Sequence, residues 1–462
     1  MTASPIVAPA RNAETSCSAG PSPAETLGRP ALRVAFLCHS FKVHGGAEQL
    51  ILSLAAGLAQ RGHSVTVFTR DYDASHWGDP LALGFAVQEV HAANDYVDAA
   101  SFRDWARVGH WLAPRLLGFD VIVANIVPSM MWWHYACVAA PGLRAIASVW
   151  YCHGFVGWFN PGATETHAVA AALDAACGHR ISLYRKVIAR LRTSGPLSVA
   201  MRAVRQVLTL GSPSFTQHMR KLECEIVPRF DRVLTNSDFT GQNVRKAFGV
   251  DTVTCHPGIP VEPISASDEA DAGYILALAR LDASKNVMTV LQAVAILRDK
   301  GTLPFAGLVV AGAGPGEADL RKFCCEHGLD SLVQFAGPVA GPDKDRLCER
   351  AALFVLPCLD EGFGLVFVEA GGHCVPAIGP DHGGPAEIIV PGETGWLVDP
   401  LDPAALASAI LEAFSDRDRL SAFGVAAGKR AHGVFSEAAF VERFEQAVRT
   451  VVDSRRPGNR ER

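Results

Sequence analysis

No Cys-x-x-Cys pair occurs among the twelve cysteines, and no cysteine or histidine cluster has zinc-ligand spacing. That sets aside structural zinc and a disulfide framework, and makes a reducing, cytoplasmic compartment the expectation. No apolar run reaches the ~20 residues that a membrane-spanning helix needs. A soluble protein, at most attached to a membrane surface, is therefore expected. Excess charge of either sign is also missing: 42 Lys and Arg stand against 47 Asp and Glu, a net charge of −5. A nucleic-acid partner is not expected on that balance. With 19% charged and 49% apolar residues, the chain is not a wholly disordered one. Residues 1–30 are rich in Ala, Pro, Ser and Gly and lack the continuous apolar core of a signal peptide, so they read as a disordered tail.

What is present is a chain of 462 residues, too long for one hydrophobic core. From residue 31, short β-branched runs alternate with amphipathic stretches: "LRVAFLC", "AEQLILSLAAGLAQRG", "SVTVFT", "FAVQEV", "DVIVANI", "AIASVWYC". Such alternation predicts an α/β fold with a parallel sheet covered on both faces. "DRVLTNSDFTGQNVRKAFGV" reads as the last strand and helix of this half, residues 31–255. The Pro- and Gly-rich stretch 256–273 is a linker candidate. The alternation restarts over 274–435 with "YILALAR", "FAGLVVAG", "LVQFAG", "ALFVLPC", "VPAIG" and "GWLVDP". Residues 436–462 are expected to form a helix that returns to the first half, followed by a tail. Two doubly wound units facing one another place a ligand between the carboxyl ends of their sheets.

The stretch "DEGFGLVFVEAGGH", residues 360–373, sets Glu361 and Glu369 on either side of an apolar run. It lies between two strand signals, "ALFVLP" and "VPAIG". Parallel neighbours need a crossover, so "GLVFVEA" is expected to be helical against its β propensity. Glu361 then occupies a glycine-bracketed loop and Glu369 the helix behind it, with both carboxylates in reach of one ligand. Gly362 and Gly364 open the backbone where that helix begins.

The pattern Glu, seven residues, Glu in "EGFGLVFVEA" resembles the signature of the retaining glycosyltransferases of family 4. "ALARLDASKNV", "VVAGAGPGEADLRKF" and "GGPAEIIVPGETGWLVDP" follow that family's order and spacing, and the resemblance runs from about Leu32 to Val452. It implies the GT-B fold, with acceptor on the first domain and nucleotide sugar on the second, and no metal or other cofactor. It implies that Arg280 and Lys285 neutralise the donor diphosphate, Glu361 holds the donor sugar and Glu369 the ribose. The backbone around Gly364, Leu365 and Val366 would help hold the phosphates. Gly45 and Gly46 match the family's glycine loop, and His153 in "WYCHGF" matches its sugar-facing histidine. The loop of Gly312, Gly314 and Gly316 is expected to line the nucleotide pocket. Its G-x-G-x-G spacing and the lack of a ribose-binding acid after "LVQFAG" make a dinucleotide-dependent dehydrogenase the weaker reading.

Asp71 and Asp73 in "DYD" could be a metal-binding pair, a reading set aside because the other motifs point elsewhere. After Glu369 the family continues with an Ala- or Cys-Gly step, whereas this chain has "AGGHCVPAIG", leaving the place of His373 open. Between residues 175 and 222 there are nine Lys and Arg and no Asp or Glu. Ile181, Tyr184, Ile188 and Leu191 would share one helical face over 180–192. A basic amphipathic helix of this kind suits an anionic membrane surface, and equally a cover packed on the sheet. The insert also resembles mannosyltransferases that extend lipid-linked oligosaccharides from GDP-mannose. It implies that sugar as donor and a lipid-linked or polysaccharide acceptor. Two other readings, a non-catalytic nucleotide-sugar binder and a nucleotide-sugar epimerase, are weaker: a non-catalytic binder is expected to lose Glu361, Glu369, Arg280 or Lys285, and an epimerase fits the insert poorly.

Overall fold

The computed structural model describes residues 30–41, 45–90, 101–125, 127–154, 213–260 and 273–456. The N-terminal tail, most of the basic insert with the helix expected over 180–192, and most of the 256–273 linker lie outside these. The first sheet contains β1 (Arg33–Leu37), β2 (Ser64–Thr69), β3 (Ala86–Glu89), β4 (Val121–Ala124), β5 (Ala147–Cys152), β6 (Arg232–Thr235) and β7 (Thr252–Thr254). Its order is β3-β2-β1-β4-β5-β6-β7, parallel throughout. The second contains β8 (Tyr274–Leu278), β9 (Leu308–Ala311), β10 (Val333–Gly337), β11 (Ala351–Val355), β12 (Ala377–Pro380) and β13 (Gly395–Val398). It too is parallel, in the order β10-β9-β8-β11-β12-β13.

The central strands are apolar on both faces because helices cover both sides: β4 and β9 are buried at every residue. In each sheet the strand order reverses beside the first strand, between β1 and β4 and between β8 and β11, which opens a crevice at the carboxyl ends. One expectation needs correction: β7 follows the helix expected to end the first half. With three residues and no buried position, it is too short and too exposed at the sheet edge to leave a hydrophobic signal.

Helix α1 (Gly46–Gln60) follows β1 and buries Leu50, Ile51, Leu54 and Leu58. Helix α2 (Pro213–Ile226) carries Glu223, which is 3% exposed and whose Oε2 has no hydrogen-bond partner among the described residues. Burial pushes this carboxyl up from 4.5 to about 8. The unfolded chain gives up that proton first, so the stability carried by the neutral form is complete below 4.5 and lost as pH rises towards about 8. Glu223→Gln is neutral throughout and is expected to remove this loss. Parallel falls in the denaturation midpoints of parent and variant as pH rises from 4.5 to about 8 would refute the assignment.

The last helix returns to the first domain. It is α8 (Glu437–Arg455), after α3 (Asp238–Phe248), α4 (Val287–Asp299), α5 (Pro342–Glu349), α6 (Leu365–Gly372) and α7 (Arg417–Val434) in chain order. Phe440, Phe444, Val448 and Val452 of α8 join the core beneath β1 and β5. Glu445, 4% exposed, accepts from Arg449 at 2.7 Å and Arg61 at 3.1 Å, and lies 3.2 Å from His63 Nε2. His63 Nδ1 accepts from the Leu32 amide, so its Nε2 holds the proton that faces Glu445.

Candidate active site

Two loops at the carboxyl ends of β8 and β11 build one wall of the crevice. After β8, Asp282 accepts from the Ser284 amide at 3.0 Å and caps a single 3-10 turn, Ala283–Lys285. Burial opposes the charge of Asp282, but its bonds to Ser284 and the adjacent Arg280 guanidinium hold the carboxyl below the ordinary carboxylate range. Asn286, in a left-handed conformation at φ 53°, donates through Nδ2 to the carbonyls of Pro357 and Pro400 at 3.0 and 2.7 Å. The Leu359 amide donates to the Ser284 carbonyl at 2.8 Å. These bonds stitch the "DASKN" turn to the loop after β11, and bring Lys285 onto Glu361 as an ion pair. Burial presses the Lys285 ammonium down, but the Glu361 carboxylate, with smaller contributions from Cys358 and Asp282, offsets it and the group stands above its ordinary value.

Gly364, at φ 98°, turns the chain into α6 in a conformation that side chains rarely adopt. That turn aims the amino end of α6 at the crevice and leaves Leu365 and Val366 on its wall. The helix predicted between two strands is thus present despite its valines, because a parallel crossover demands it.

The opposite wall comes from the first domain: Gly46, Ala47 and Leu50 of α1, His153 after β5, Asn236 after β6, and Pro257. Between the walls is a space of about 810 Å³, open to solvent. His153 packs on Tyr151 at 4.1 Å, its Nε2 lies 3.4 Å from Asn125 Oδ1, and its Nδ1 is buried without a partner among the described residues. Desolvation holds the imidazole down at about 3, so the ring is neutral over the physiological range. A lowered pKa means that the neutral ring's stabilisation is full above the ordinary 6.5 and lost as pH falls towards 3. The His153 ring proton resonances are expected not to titrate between about pH 8 and 5. A midpoint near 6.5 would refute it.

Of the residues singled out from sequence, Gly46, His153, Arg280, Lys285, Glu361, Gly364, Leu365 and Val366 line this one space. Others are not part of its lining. Glu369 lies on α6 and pairs with Lys344 of α5 at 2.8 Å, so each carboxylate of the signature has its own ammonium. Gly45 is the residue before α1. Gly314, expected to line the nucleotide pocket, packs on the backbone of Leu281, where a Cβ would fall 2.3 Å from the carbonyl oxygen. It has no side chain because two backbone segments touch there.

Asp71 and Asp73 are used locally: Asp71 accepts from Ser40 and the Phe41 amide, and Asp73 caps a helix through the Ser75 amide. His373 stands 3.5 Å from Asp345 and 3.9 Å from Glu349, facing α5. Asn236 was missed. It stands at the carboxyl end of β6, and its Nδ2 donates to the His153 carbonyl. The polar "TNS" at the end of an apolar strand, closing on the cap residue Ser237, was the available signal.

Comparisons with known proteins place this geometry. The model of Glycosyltransferase Family 4 matches residues 44–263, and that of Glycosyl transferases group 1 matches residues 264–430. A GDP-mannose-dependent alpha-(1-6)-phosphatidylinositol monomannoside mannosyltransferase of Mycobacterium tuberculosis is 34% identical over 33% of this chain and 41% of its own. The Mycolicibacterium smegmatis protein of that name is 27% identical over 42% of this chain and 56% of its own. The first relatives are therefore matched over about half of their length. The alpha-1,3/1,6-mannosyltransferase alg-2 of Neurospora crassa is 24% identical over 87% of this chain and 88% of its own. Among solved structures, Anabaena HepE with UDP and glucose aligns at a TM-score of 0.64 and 18% identity, covering 91% of this chain and all of that one. Sucrose-phosphate synthase of Thermosynechococcus elongatus aligns at 0.65 and 20% identity, covering 92% and 100%. Two successive family models over residues 44–430, on two facing parallel α/β sheets, make the chain a member of glycosyltransferase family 4 with the GT-B fold.

Proposed function

We propose that the protein transfers a hexosyl group from a nucleoside-diphosphate sugar, with GDP-mannose the preferred donor, to a lipid-linked or polysaccharide acceptor. The observation that carries this reading is the convergence of Arg280, Lys285 and Glu361 on one face of the crevice, with neutral His153 on the other. As the bond between the anomeric carbon and the diphosphate oxygen breaks, negative charge builds on the leaving group. Arg280, 72% exposed along its side chain, and Lys285 are the cations positioned to meet it. The amino end of α6 adds amides and a favourable dipole. Glu361 orients the donor sugar's hydroxyls and His153 accepts or donates one hydrogen bond without charge. Glu369 takes the ribose hydroxyls once Lys344 yields.

The acceptor hydroxyl attacks from the face the diphosphate leaves, and its proton passes to the departing phosphate oxygen, so the anomeric configuration is retained. No metal is required in this scheme. The work is assigned to the cytoplasm, with peripheral contact to an anionic membrane through 180–192. That contact fits a lipid-linked acceptor, and the names of the mannosyltransferase relatives favour the donor.

A panel of radiolabelled GDP-, UDP- and ADP-sugars, with membranes as acceptor, tests the reading. Transfer from GDP-mannose is expected to exceed that from the other donors. No transfer or hydrolysis with any donor, together with unchanged nucleotide binding by Glu369→Ala, would defeat it.

A further inference from the structure

The element "GGPAEII", residues 383–389, takes no part in the chemistry above, although it lies against the loop that carries Glu361. Glu387 belongs to the second domain but bonds to the first. Its Oε2 accepts from the Asp238 amide at 2.9 Å and its Oε1 from the Phe239 amide at 2.8 Å. The same Oε2 lies 2.8 Å from His256 Nε2. Both amides belong to the first turn of α3, where the helix has no internal partners for them and presents partial positive charge.

Next to this contact, Ser237 donates its hydroxyl to the Gly362 carbonyl at 2.5 Å. From the other side the Gly384 amide donates to the Glu361 carbonyl at 2.9 Å. A Cβ on Gly384 would fall 2.2 Å from Phe363 Cα, so its turn packs directly on the loop. The Glu361–Phe363 loop is thus held between one domain's Ser237 and the other's Gly384, and Glu387 ties those two supports together.

We propose that Glu387 is a positioning residue. It latches the two domains in the closed arrangement and thereby sets Glu361 against the donor sugar. The proposal rests on the transferase reading and gives it a coupling between closure and chemistry. The carboxylate keeps 19% of its side-chain surface, so water can replace its bonds when the crevice opens. The backbone beneath it is fixed separately: Arg430 donates to the carbonyls of Glu387 and Ile388 at 2.8 and 2.9 Å. Removing the side chain therefore leaves the segment seated on its own domain.

The test uses the full chain, with Glu387→Ala and Glu387→Gln compared with the parent. GDP affinity is read by calorimetry, radius of gyration by solution X-ray scattering with and without GDP, and sugar transfer by steady-state kinetics. Glu387→Ala is expected to keep the parent's GDP affinity and melting temperature, expand the GDP-bound particle and lower kcat about 10- to 100-fold. Glu387→Gln, with one acceptor oxygen left, is expected to fall between. Turnover within twofold of the parent and unchanged scattering overturn the proposal, as does a fall in GDP affinity and melting temperature that matches the fall in turnover. Should the alanine variant not fold, the glutamine variant decides on the same criteria. Should the parent transfer no sugar from any donor, the transferase reading fails, and the scattering comparison alone decides the latch.

Discussion

Lys285→Met is expected to lower sugar transfer by about 10²- to 10³-fold, the loss typical when one preorganised charge is taken from a site where charge develops. Methionine fills nearly the same space without the ammonium, so the shape of the crevice changes little. The effect has two parts. The leaving diphosphate loses its more buried cation, since Lys285 keeps 22% of its side-chain surface against 72% for Arg280. Glu361 also loses its ion-pair partner and with it the restraint on its orientation. Because both members of that pair stay about one-fifth exposed, water screens the abandoned carboxylate, and the stability loss is expected to be about 1–2 kcal/mol, below that of a fully buried pair. Steady-state kinetics with thermal melting separates the two: kcat should collapse while the fold persists. Turnover within about threefold of the parent would remove Lys285 from the chemistry.

Phe444→Ala is expected to cost about 3–5 kcal/mol of stability, the usual range for truncating a sealed aromatic ring. Phe444 is fully buried, with its ring stacked on Phe36 of β1 at 5.8 Å and tilted against Tyr151 of β5 at the same separation. The neighbourhood leaves little room to collapse into the hole: a Cβ on Gly57 of α1 would already lie 2.4 Å from Val441 of α8. Since α8 follows the second domain in the chain but packs in the first, the loss falls on the contact that returns the chain. Denaturant unfolding followed by tryptophan emission, with limited proteolysis after α7, reads it out. A midpoint shift worth less than about 1 kcal/mol would mean that α8 is not part of the first domain's cooperative core.

Most of the two sheets was legible because their signal is local. Runs such as "VIVA" and "LVVA" are apolar at successive residues, as strands covered on both faces must be, and the chemistry of β4 and β9 is written within four residues each. β7 was not legible, since a three-residue edge strand buries nothing. The candidate site was legible one residue at a time: Arg280, Lys285, Glu361 and His153 each follow a strand and each faces the crevice. The use of Gly314 was not legible, for a physical reason. A glycine that lets backbone approach a phosphate and a glycine that lets backbone approach backbone look the same in a sequence.

By itself, then, the sequence determined the α/β class, the halves, the crossover helix after Glu361 and the residue types at the carboxyl ends of the strands. Periodicity and spacing act over a few residues, and these features need nothing more. The tertiary structure alone decided that Lys285 meets Glu361 across 76 residues, that Glu369 meets Lys344, and that Glu387 reaches His256 across 131. Those contacts depend on where folded backbone brings distant charges and rings together, and no local pattern in the chain encodes that distance.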